Sequence, residues 1–148
     1  MPADRALVIG YGNPLRGDDA AGPEAARRLG DLGFRALAVH QLTPELAEPI
    51  AFARAVVFLD ADARVPAGQI AITPLAPAPP SAPLEHHASP AALLRLARDV
   101  YGAAPDACLI SLGAAAFEFG ARLSAAAEQA VSHAIREVFA FYGAAPCA

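Results

Sequence analysis

The stretch Ala6-Leu7-Val8-Ile9-Gly10-Tyr11-Gly12-Asn13-Pro14-Leu15-Arg16-Gly17-Asp18-Asp19-Ala20-Ala21-Gly22 decides how this chain folds. Its first five residues are a short apolar run closed by glycine, the pattern of a strand buried on both faces of an α/β sheet. Gly12, the Asn13-Pro14 pair and Gly17 then supply turn chemistry. Pro23 to Leu29 follows as a good helix former, with Glu24 early and Arg27 and Arg28 late, as the helix dipole favours. Asp18 and Asp19 stand at the handover from strand to helix. One of them is expected to cap the helix. Capping does not account for both, and paired carboxylates at such a place attract a cation.

Outward from this stretch the chain alternates. Phe34 to His40 reads as a second strand, and Thr43-Pro44 as the cap and first position of a helix running to about Phe52. Ala55 to Leu59 is a third, buried strand that ends on Asp60. Gln69 to Thr73 follows too closely for a parallel crossover and is expected to run antiparallel. Leu75 to Pro83 is a proline-rich loop, read either as an ordinary surface loop or as a flap. Ser89-Pro90 opens a helix through about Tyr101, Ala107 to Leu112 is the last strand, and Ser124 to Tyr142 is a long final helix. The pattern predicts a single α/β domain over residues 1–148: a three-layer αβα sandwich around a twisted, mostly parallel five-stranded sheet with one antiparallel strand.

Composition narrows the function. The 148 residues suffice for a core without disulfides or structural metal, and the net charge of −4 argues against nucleic acid or an anionic membrane as partner. Cys108 and Cys147 form no motif and suit a reducing compartment. With no signal-peptide pattern and no bilayer-length apolar run, the expected location is the cytoplasm. All eleven cations are arginine.

In open α/β sheets, ligands gather at the carboxyl ends of strands. If the first and third strands are neighbours, the Asp18-Asp19 pair and Asp60 meet there. His86-His87, before the third helix, adds an imidazole. Two carboxylates and one histidine suit a divalent first-row metal such as nickel, zinc or manganese. Three other readings fail or weaken. A dinucleotide fingerprint lacks its third glycine, with Leu15 in that place, and acids behind it would repel a pyrophosphate. A phosphoacceptor receiver domain needs a lysine near its last strand, and the chain has none. Asp60-Ala61-Asp62 also fits a simple strand-end turn. Neither a His-Glu-x-x-His motif nor a Gly-x-Ser-x-Gly elbow is present.

Several segments together resemble the hydrogenase maturation protease family. They are Gly10-x-Gly12-Asn13-Pro14-Leu15-Arg16-Gly17-Asp18-Asp19-x-x-Gly22, His40-Gln41-Leu42-Thr43-Pro44-Glu45-Leu46, Leu59-Asp60-Ala61, His86-His87-x-Ser89-Pro90, and Glu118-Phe119-Gly120 with Leu123-Ser124. The resemblance spans almost the whole chain, with Ala20 where many members have glycine. It implies an endopeptidase that removes a C-terminal extension from the large-subunit precursor of a nickel-iron hydrogenase after nickel insertion. Carried over by motif, the metal-binding and catalytic residues are Asp19, Asp60 and His86, with His87 one residue out of register. Asp18 becomes a neighbour that orients the turn or caps a helix. The implied ion is nickel presented by the substrate, with zinc or cadmium as a stand-in for the isolated protein, and no organic cofactor. The alternative is a non-catalytic metal- or precursor-binding maturation chaperone on the same scaffold.

Overall fold

The computed structural model describes residues 6–79, 89–120 and 122–143. Five strands, β1 (Leu7–Tyr11), β2 (Arg35–Val39), β3 (Ala55–Asp62), β4 (Ile70–Leu75) and β5 (Asp106–Gly113), form one sheet in the order β2-β1-β3-β5-β4. All neighbours are parallel except β4 and β5. β4 lies beyond β5, so the expected antiparallel strand is present at the sheet edge, with β5 between it and β3.

Alternation along the central strands builds two cores, because successive side chains point to opposite faces. Val8, Val57, Leu59, Ile110 and Leu112 pack under α1 (Ala21–Asp31) and α4 (Ala125–Val138). Leu7, Ile9, Val56 and Phe58 pack under α2 (Ala47–Ala51) and α3 (Pro90–Tyr101). These are the three layers expected from the sequence. Arg28 joins the two helices of the first face, donating to both carboxylate oxygens of Glu128 at 3.0 and 2.9 Å.

Several boundaries differ from the sequence reading. β3 continues past Asp60 because its pairing with β5 runs on to Asp62 opposite Gly113. Thr43 does precede a helical segment with proline at its start, a 3-10 turn (Pro44–Leu46) that leads into α2, but its side chain makes no capping hydrogen bond. Ser89 and Ser124 do cap, accepting from Ala92 N and Ala127 N at 3.1 Å each. α4 stops at Val138 and a π-type turn takes over at Phe139–Gly143. The proline-rich loop is tied to α3 where it is described: Ala78 N donates to Ala91 O at 2.9 Å and Arg95 Nη1 to Pro79 O at 3.2 Å.

The handover from β1 to α1 is unusually close. A Cβ on Gly22 would lie 2.7 Å from Tyr11 O and nearer still to Leu59 O, and one on Gly10 would run into Gly22 O. The start of α1 therefore rests directly on the backbones of β1 and β3, which only glycine permits.

Candidate functional site

β1 leads to β2 on one side of it and has β3 on the other, so the crevice between β1 and β3 is the topological switch point of the sheet. Tyr11 ends β1 there and Asp60 lies near the end of β3. Between Gly17 and Ala20 the chain makes a 3-10 turn that carries both Asp18 and Asp19. The two acids have opposite fates.

Asp18 is wholly buried, with 0% exposure. Its Oδ2 accepts from Ala115 N and Ala116 N at 2.9 Å each and from Ser124 Oγ at 2.7 Å, and its Oδ1 accepts from Ser124 N at 2.7 Å. Burial opposes the charge, but these four bonds more than offset it and hold the carboxyl below its ordinary range. The side chain pins the segment after β5 and the first residue of α4's cap to the turn after β1. It does not cap α1, whose N-cap is Ala20 without a side-chain bond, so neither acid fills that expected role.

Asp19 points the other way along the turn. Asn13 N donates to its Oδ2 at 2.6 Å, and Asn13 Oδ1 in turn accepts from Leu15 N at 2.9 Å. The Asn13-Pro14 turn thus orients the carboxylate by one oxygen.

Asp60 is the acid of the crevice with a clearly raised carboxyl. Burial first, then the charges of Asp19 and Asp62, push its carboxyl up to about 6. A hydrogen bond with the Tyr11 side chain and one with Ala61 N–H pull it partly back. Tyr11 is raised in turn, by its own burial and by the charge of Asp60. Asp62 is engaged elsewhere: Arg64 donates to its oxygens through N, Nε and Nη2 at 2.9, 3.0 and 3.0 Å, which holds it low. It is the strand-end turn residue, one position pair removed from Asp60.

Asp19 therefore lies close enough to Asp60 for its charge to raise the Asp60 carboxyl, and two neighbouring acids are a donor set that fits a cation. Their expected third partner, His86, and its alternative His87 lie outside the described residues. Among the described residues no cluster of three or more metal-ligating side chains occurs. Tyr11, which the sequence reading did not single out, stands beside Asp60, and the carboxyl of one raises the hydroxyl of the other. Its position at the strand end, beside Gly12, was the available signal. The remaining described histidines sit elsewhere: His40 is exposed after β2, and His133 is 3.7 Å from Glu137 on α4. Cys108 is half-buried in β5, with its thiol pushed up by burial, as expected of a packing residue.

No protein-family model and no curated protein matches the sequence. Solved structures do match the fold. The [NiFe] hydrogenase maturation protease HycI from Thermococcus kodakarensis KOD1 superposes with a TM-score of 0.73 at 22% identity, covering 95% of this chain and 93% of that one. HybD from Thermococcus kodakarensis gives 0.71 at 20% identity over 93% and 99%. The hydrogenase maturating endopeptidase HybD from E. coli gives 0.67 at 20% identity over 96% and 94%. Over nearly its whole length, the chain has the fold of the hydrogenase maturation proteases.

Proposed function

We propose that this protein is an endopeptidase that removes the C-terminal extension of a nickel-iron hydrogenase large-subunit precursor once nickel is in place. Asp19, Asp60 and His86 are the residues assigned to grip the substrate-borne nickel. The observation that carries the reading is the pairing of Asp19 and Asp60 at the switch point, inside a fold shared with maturation proteases.

Each residue has a distinct task. Asn13 N–H fixes Asp19 by one oxygen and leaves the other for a ligand. Asp60, at about 6, is mostly ionised at neutral pH but loses its charge in mild acid, so cation and proton compete for it. The Tyr11 side chain orients Asp60 from behind, as outer-shell partners of metal ligands do. Asp19, Asp60 and His86 would hold the substrate's nickel, which would there supply polarisation of a scissile carbonyl or activation of water. A precursor without nickel offers the two acids nothing to hold, so the same residues act as a checkpoint.

The test is to incubate nickel-loaded and nickel-free precursor with the protein and weigh the large subunit. Shortening of the loaded form alone is expected, and Asp19→Asn, Asp60→Asn and His86→Ala should each abolish it while the fold remains. Cleavage that ignores nickel, or that survives all three changes, overturns the checkpoint. A precursor held tightly at full length replaces the endopeptidase with a non-catalytic maturation chaperone.

A further inference from the structure

Resting on that reading, we propose that Leu15 and Phe119 form an apolar seat for the precursor's C-terminal peptide beside the Asp19–Asp60 crevice, and so help determine which precursor is accepted. Phe119 is 77% exposed and Leu15 58% exposed. Solvent-exposed apolar residues scattered singly need no explanation, whereas these two are brought together by a built arrangement. Gly120 N donates to Leu15 O, the backbone amide next to Phe119 thereby meeting Leu15 itself. Asp18 N donates to Ala116 O at 2.7 Å, and the four bonds of the Asp18 carboxylate lock the same two segments from beneath.

The pair is continuous with the site. Leu15 N donates to Asn13 Oδ1, and Asn13 N donates to Asp19 Oδ2, so two hydrogen bonds separate Leu15 from a carboxylate of the crevice. A protein substrate whose metal reaches Asp19 and Asp60 must lay polypeptide over this rim. The backbone that carries these two side chains is already fixed, so only their rotamers are ordered on binding, which lowers the cost of converting buried area into affinity. The occupant they fit is an extended peptide with an apolar side chain close to the scissile bond.

The experiment compares wild type with the double variant Leu15→Ser/Phe119→Ser. It reads KM and kcat on nickel-loaded precursor, direct precursor binding by surface plasmon resonance, Zn2+ affinity by calorimetry, and the thermal melt. A KM higher by on the order of tenfold, weaker precursor binding, and kcat, Zn2+ affinity and melt near wild type are expected. Leu15→Met/Phe119→Leu should restore most of the KM. Unchanged KM and unchanged precursor binding in the serine variant overturn the seat. So does a wild-type dimer that the serine variant dissolves without loss of precursor binding, which would make the rim a self-contact. If wild type binds precursor without shortening it, the endopeptidase reading fails, and weaker binding by the serine variant still upholds the seat. If wild type neither binds nor shortens precursor, both fail.

Discussion

Two neighbouring aspartates show how position within one turn sets the chemistry of identical side chains. Asp18 is buried and satisfied; its low carboxyl stabilises the fold above the ordinary carboxylate range, and that contribution is lost as pH falls through its folded-state value. Asp18→Asn leaves one acceptor oxygen for what were four donors, so we expect a loss of about 3 kcal/mol or more. In a melt at neutral pH this corresponds to a drop of roughly 6–12 °C, and the deficit should shrink in acid, where wild type loses the same support. Asp60 has the opposite sign. Its folded carboxyl sits above the unfolded value, so the protonated form is favoured by folding; that stability is present below the unfolded value near pH 4 and vanishes as pH rises through about 6. Asp60→Asn should therefore stabilise the protein at pH 7 by about 1 kcal/mol, after allowance for solvent screening, while abolishing processing. A variant that melts lower than wild type at pH 7 would show that Asp60 is structural. Residue types alone placed both acids at the strand end without telling them apart; only the family resemblance singled out Asp19, because the donors that bury Asp18 come from Ala115, Ala116 and Ser124, far along the chain.

At the scale of elements, the close seating of α1 on β1 and β3 is what brings the 3-10 turn to the crevice. Gly22→Ala forces a Cβ against two backbone oxygens that belong to strands and cannot move aside. A cost of about 3 kcal/mol is expected, with the processing site displaced as the helix lifts. Gly30→Ala is the matched control in the same helix: its Cβ would meet only Ala36 Cβ at 3.6 Å, an ordinary contact, and should raise helix stability slightly. Comparing the two melts separates close approach from helix propensity. The element order, the buried strands and the Ser89 and Ser124 caps were legible because each leaves a local mark: an apolar run, a period, or a polar residue before alanine-rich turns. The extension of β3 to Asp62 and the end of α4 at Val138 were not. The first is set by its pairing with β5, and neither left a mark in its own residues.

At the scale of the molecule, the two cores lie on the two faces of the sheet and the candidate site lies at the carboxyl ends of its interior strands β1 and β3. No described helix is long and apolar enough to cross a membrane. That β1 and β3 are neighbours was only a condition in the sequence; the sheet order β2-β1-β3-β5-β4 meets it, and so brings Asp60 beside the turn that carries Asp19. The neighbourhood of Tyr11 and Asp60 was hidden, since a tyrosine ending a strand usually packs and only the sheet order brings the carboxylate beside it.

The buried Asp18 clamp also sets a schedule. Its partners lie 97, 98 and 106 residues downstream, so in a chain emerging from the ribosome the acid stays solvated and the turn unclamped until Ser124 has been made. The turn after β1 is therefore clamped only once the start of α4 has been made. Chains released after Gly120 are expected to be degraded quickly by an added protease, whereas chains released after Gly143 should resist it. Equal resistance would mean that the N-terminal turn sets without its distant partners.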